Sequence, residues 1–168
     1  MNFLSERNTE MHKEYLNTLL CRYKIFEKSY PELLGKDIAE IHATKIMKSE
    51  REAAIKLLSE ILAHKMYFSS FGERGTSSLR VIKEYGSIAA FLYEIRKKCR
   101  ECDFGFMIVY EDRGKIGLYC GAAYENIFIN KKVFLALDLC EHSYFYDYGF
   151  SKEDYVMNAI SHFDLSKI

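Results

Sequence analysis

Between Thr9 and Phe68 the chain carries two long stretches of helical periodicity with a single break, and few folds accommodate that pattern. From Thr9 to about Lys28, Met11, Tyr15, Leu19 and Phe26 recur at close to helical spacing among charged residues, the mark of an amphipathic helix. Ser29-Tyr30-Pro31 then holds the only proline, whose ring cannot donate the next hydrogen bond. The pattern resumes from about Ile46 to Phe68 through Ala54, Leu57, Leu58, Ile61 and Leu62, with no breaker inside. The spacing predicts an antiparallel two-helix hairpin.

The glycine-rich, polar run Phe71-Gly72-Glu73-Arg74-Gly75-Thr76 marks the expected boundary between a hairpin domain over 1–72 and a second domain over 73–168. Two shorter helices are expected next, over Ser78–Glu84 and Ser87–Arg100. The texture then turns β-branched and aromatic, with Phe106–Tyr110, a turn at Glu111-Asp112-Arg113-Gly114, and Ile116–Cys120 reading as a hairpin of strands. Val133–Leu139 reads as a third, buried strand and Lys152–Phe163 as a closing helix. The fold class expected is α+β, a helical hairpin followed by helices around a small three-stranded antiparallel sheet.

At 168 residues and 49% hydrophobic content, the chain is long enough to bury a core. Its 24 basic and 24 acidic side chains cancel, so no global field draws it to nucleic acid or an anionic membrane, and neither partner is expected. No apolar run approaches the roughly 20 residues of a membrane span. Met1 to Asn8 lacks the apolar stretch of a secretory signal, so the expected compartment is the cytoplasm, with the mitochondrion as the alternative. Five cysteines, an odd and mostly scattered set, argue against a disulfide framework. The one C-x-x-C, Cys99 to Cys102, has no second ligand pair for zinc and falls at the end of a predicted helix, so both thiols are expected to face the core.

The most informative stretch is Asp138-Leu139-Cys140-Glu141-His142-Ser143-Tyr144, directly after the third strand. A carboxylate and an imidazole four residues apart at a strand end can converge on one cation, and such mixed donors suit iron, manganese or zinc. By spacing alone a capped loop serves as well. The stretch resembles the D-x-W-E-H-x-Y signature of iron/manganese superoxide dismutases. The N-H-x-x-Y segment of that family corresponds to Ala63-His64-Lys65-Met66-Tyr67, its F-G-S to Tyr85-Gly86-Ser87, its S-G-W to Phe104-Gly105-Phe106 and its closing D-Y to Asp154-Tyr155, all in one register.

The resemblance implies His64, Asp138 and His142 as metal ligands for iron or manganese. It implies Glu141 as a carboxylate reaching the ligand histidine of a second copy in a homodimer, and Tyr15 as the tyrosine gating the substrate funnel. The family's fourth ligand, eight residues before that tyrosine, falls on Arg7, and a guanidinium is no metal ligand. A shifted alignment offers His12 instead, at a displacement of roughly one and a half helical turns. The family's active-site glutamine falls on Glu60 in the iron type and near Ala123 in the manganese type. Its tryptophans fall on Phe68, Phe106 and Cys140, and its intersubunit histidine–tyrosine bond on Met11 and Phe145.

Two functional expectations follow. Arg7 in place of a ligand would leave superoxide dismutation at a mononuclear site impaired or lost, with Arg7 either paired with Asp138 and Glu60 or turned to solvent; iron or manganese is the cofactor if metal is retained, none otherwise. The rival is a metal-free, superoxide dismutase-like scaffold with a protein partner, offering Tyr144, Phe145, Tyr146 and Tyr148 as contact surface.

Overall fold

A computed structural model describes residues 3–73 and 75–168, so Met1, Asn2 and Arg74 of the predicted boundary lie outside the described residues. Helix α1 runs over Glu6–Ser29, its first turn held by the Ser5 hydroxyl accepting from the Asn8 amide. A 3-10 turn at Pro31–Leu33 and a short helix α2 at Ile38–His42, closed by an Asp37/Glu40 capping box, form the connection to α3, Lys48–Ser69. The start of α1 meets the end of α3, where the His12 ring lies 4.6 Å from that of Tyr67. At the other end Phe26 and Ala53 line one cavity, so the two long helices are antiparallel as expected. Leu19, Tyr23, Leu33, Ile41, Ala54 and Ile61 are buried between them and the connection.

Helices α4, Leu79–Tyr85, and α5, Ile88–Arg100, begin at the serines that opened the predicted segments: Ser78 and Ser87 each cap the amide three residues on. Strands β1, Phe106–Asp112, β2, Lys115–Gly121, and β3, Lys132–Asp138, form an antiparallel sheet in the order β2-β1-β3. The β1–β2 turn is two residues, Arg113 and Gly114, both at positive φ, which matches the right-handed twist of the strands it joins. Gly105, at φ +105, lets the chain enter β1 where a Cβ would stand 2.2 Å from the Gly121 carbonyl oxygen. Its own carbonyl accepts the Leu139 amide at 2.8 Å, which ties the start of β1 to the end of β3.

Besides α2, two further helices beyond those expected stand ahead of α8, Lys152–Ile160: α6, Glu125–Asn130, and α7, Glu141–Tyr148. The sheet core holds Tyr67, Phe91, Ile95, Met107, Leu135 and Tyr155. Helix α3 therefore serves both cores, with Ala54 and Ile61 in one and Ala63 and Tyr67 in the other. At its end the Ser70 hydroxyl donates to the Met66 carbonyl and accepts the Ala136 amide, each at 2.7 Å, so α3 satisfies a backbone donor on the outer edge of β3. Among the described residues no helix is long and apolar enough to cross a membrane.

Candidate metal centre

Four side chains from four elements converge where the hairpin meets the sheet. Asp138 ends β3 and is fully buried, His142 stands in the first turn of α7, His64 near the end of α3, and His12 on the buried face of α1. From Asp138 Oδ2, Nε2 of His142 is 2.9 Å away, that of His12 3.2 Å and that of His64 3.4 Å. The Nε2 atoms of His64 and His142 are 3.4 Å apart, and one donor atom from each of the four residues lies within 4.8 Å of all the others. Donors about 2.1 Å from a shared cation in tetrahedral directions stand about 3.4 Å from each other, and the His64–Asp138 and His64–His142 separations, 3.4 Å each, match that value.

The polar atoms are also oriented for a common target. Both ring nitrogens of His12 and Oδ2 of Asp138 are buried without an aligned hydrogen-bond partner, although Nε2 and Oδ2 approach each other. Buried groups are rarely left so, and three imidazoles with one carboxylate are a donor set that iron or manganese accepts. Burial would raise the Asp138 carboxyl, but contacts with His12, His142 and His64 outweigh it and hold the group well below the usual carboxylate range. Burial is the largest influence on His12 and lowers it despite Asp138, keeping the imidazole in the neutral, ligating form. For His64 burial is the largest single influence and pulls downward, but contacts with Asp138 and Glu60 together outweigh it and raise the ring above its ordinary value.

A supporting layer fixes these rings. His64 Nδ1 bonds the Glu60 carbonyl at 2.8 Å, which turns Nε2 to the cluster. Asp138 Oδ1 accepts the Cys140 amide at 2.9 Å, and its carbonyl accepts the Tyr155 and Ser143 hydroxyls at 2.9 and 3.0 Å. Phe68 packs 5.0 Å from His12 and Phe106 5.1 Å from His64, so the positions expected to replace tryptophan do line the cluster. Tyr124, unremarked in the sequence, stands behind Phe106 at 5.3 Å. Tyr15 lies with its ring 4.3 Å from that of His142 and donates its hydroxyl proton to Glu60 Oε1 at 2.7 Å. Burial, then the bond to Glu60, raises the tyrosine well above its ordinary value.

Of the two placements expected for Arg7, the structure has the solvent-facing one. The residue is exposed, its guanidinium 5.2 Å from the centre of the Tyr146 ring, and it takes no part in the cluster. Five residues along a helix turn the side chain through about 140°, so Arg7 and His12 cannot share a face. His12 lies on the stripe Asn8, His12, Leu19, Tyr23 that α1 buries, and this stripe is the signal in the sequence that distinguishes it. Ala123 is exposed and contributes no side chain to the cluster. Glu141 is exposed beside His142, at the rim of a surface pocket of about 300 Å³ that it shares with Met11, Phe145 and Tyr146.

Cys99 and Cys102 are buried as expected, and the Cys102 thiol donates to the Phe104 carbonyl at 3.1 Å. Burial is the largest of the influences that push the Cys102 thiol up to about 12. Both thiols are sheltered in the core, and the Cys102 thiol is held protonated, unlike the activated thiol of a redox pair.

No curated protein matches the chain. The family model described as iron/manganese superoxide dismutases, C-terminal domain, matches residues 73–168. That span is more than half of the chain and includes Asp138 and His142 in the geometry just described, and the protein belongs to the iron/manganese superoxide dismutase family.

Proposed function

We propose that this protein is a working superoxide dismutase whose single iron or manganese ion is held by His12, His64, Asp138 and His142. The observation that carries this reading is His12, which supplies a fourth donor in the cluster where Arg7 would have left three. When bound, the ion would supply one-electron redox chemistry, oxidising one superoxide to dioxygen and reducing the next toward peroxide. Asp138 would offset the charge of the ion, and its burial keeps water from competing for that oxygen.

Peroxide formation consumes protons, and Tyr15 holds one at its Oη, shared with Glu60 Oε1, within ring contact of His142. Glu60 takes the place of the family's iron-type glutamine. Its backbone fixes His64 while its carboxylate fixes Tyr15, so one residue orients both a ligand and the proton holder.

The homodimer belongs to the same reading. Met11, Phe145 and Tyr146 are 47%, 44% and 51% exposed around His142, an apolar rim that a second copy would cover. Glu141 of one copy would then brace His142 of the other. The paired change to Met11 and Phe145 suits such a seam, since neither leaves a polar atom unsatisfied.

The test is elemental analysis of the purified chain together with superoxide consumption after loading with iron or manganese. The expected result is one metal per chain with turnover, retained in Arg7→Ala and lost in His12→Ala. A folded chain that takes up neither metal overturns the reading and leaves the metal-free scaffold.

A further inference from the structure

Two of the cluster's imidazoles are held in different ways. His64 has its far nitrogen bonded to the Glu60 carbonyl at 2.8 Å, the usual device for aiming a histidine at a metal. Neither nitrogen of His12 has an aligned partner, so packing must aim this ring. Tyr67, one turn past His64 on α3, supplies that packing: its ring centre is 4.6 Å from that of His12, at an inclination of 48°. Tyr67 is in turn fixed from α8. Its hydroxyl lies 3.4 Å from that of Tyr155, which donates to the Asp138 carbonyl at 2.9 Å. A phenol has one proton to give, so Tyr67 is the donor across the longer gap. Ser143 also reaches the Asp138 carbonyl, at 3.0 Å, but its single proton is shared with the Cys140 carbonyl at 2.7 Å. Tyr67 and Tyr155 are both fully buried.

We propose that Tyr67 and Tyr155 are positioning residues acting as one coupler between His12 and Asp138, so that α8, which gives the cluster no donor atom, sets how the imidazole of α1 meets the carboxylate of β3. Holding the Asp138 carbonyl holds its peptide plane, and with it the direction in which the side chain leaves the strand. Holding the Tyr67 hydroxyl pins the far end of the ring on which His12 leans. The two phenols thereby make His12 Nε2 and Asp138 Oδ2, 3.2 Å apart, ends of one packed chain of groups. A close-packed interior has no slack in which a shifted ring could be absorbed before it reaches His12. What the coupler does for a bound ion rests on the metal-site reading above; the coupling of the two side chains needs no ion.

The test begins on the metal-free full-length chain, with the histidine ring signals read by NMR and those of His12 assigned through His12→Ala. Tyr155→Phe and Tyr67→Phe each remove one hydroxyl of the pair, and both should move the His12 signals. Tyr144→Phe removes a hydroxyl from a ring stacked 4.9 Å from Tyr155 and should leave them in place. With manganese(II) as the probe, competition against a chelator of known affinity should show a loss of about tenfold or more in Tyr155→Phe and Tyr67→Phe, and none in Tyr144→Phe. Unmoved His12 signals in the folded variants overturn the proposal, as does an equal shift in Tyr144→Phe, which would mark general loosening of the core. Unchanged affinity in Tyr155→Phe and Tyr67→Phe of a chain that binds manganese overturns it too. If Tyr155→Phe does not fold, Tyr67→Phe cuts the same bond from the other end and decides the matter. An unaltered chain that takes up no metal sinks the superoxide dismutase reading instead, and the ring signals still decide this one.

Discussion

The hairpin and the sheet region each give two side chains to the cluster, yet they carry that information in different ways. Asp138 and His142 come from a strand end and the first turn of the next helix, where the pleat of β3, the Cys140 amide and Ser143 fix their relative placement. Their spacing therefore survives as a readable motif, inside the span that the family model matches. His12 and His64 come from two long helices, where any residue on the inward stripe at the right height can reach the same point. A strand end dictates which residue; a helix face dictates only a stripe.

The sharpest way to break that contrast is to exchange the two candidate positions on α1. His12→Ala should lower iron or manganese affinity by more than the roughly 10–100-fold usual for an outer-shell partner. Arg7→Ala should leave metal content unchanged, both read by elemental analysis after dialysis. Equal loss in the two variants would return the fourth position to Arg7.

The sheet side should be the less forgiving in stability. Gly105→Ala puts a Cβ into the Gly121 backbone in addition to straining a positive φ, and should cost about 3 kcal/mol or more in urea unfolding. Ser70→Ala probes the junction between the two regions, since it leaves the buried Ala136 amide without an acceptor. A cost of about 1–3 kcal/mol is expected in the same measurement.

The smallest effect belongs to Glu84, which is far from the cluster. Burial would raise its carboxyl, but the Ile116 amide and Arg80 outweigh burial and lower it. A carboxyl lowered on folding stabilises the folded state above its unfolded value of about 4.5, and that contribution disappears as pH falls through the folded value. Glu84→Gln should flatten this part of the stability–pH curve, by less than about 1 kcal/mol after solvent screening.

Most of the frame was legible because its signals are local. The serines before α4 and α5, the single proline and the Arg113-Gly114 turn punctuate the chain where the elements change. Helix α7 escaped because Glu141–Tyr148 is rich in Tyr and Phe, which are weak helix formers. Its order comes from tertiary contact, with Tyr144 stacked 4.9 Å from Tyr155 and the Ser143 hydroxyl against Asp138. His64, Asp138 and His142 were legible as a motif in one register. Counting back from Tyr15 puts the fourth position on Arg7, which is exposed, whereas the shifted alignment puts it on His12, which lies on the face that α1 buries; motif register alone does not say which side of a helix is buried.

The pairing of His12 with Asp138 also sets a schedule. The two residues are 126 positions apart in the sequence (138 minus 12), so a ribosome adds the rest of the hairpin and most of the sheet between them. Early in synthesis the hairpin can present only His12 and His64. A nascent chain would therefore have little hold on a passing metal ion, and capture would wait until β3 docks against α3 and α7 against α1. On the proposed reading, loading would follow docking, and the ion available once the two regions have met would decide which one the site takes up.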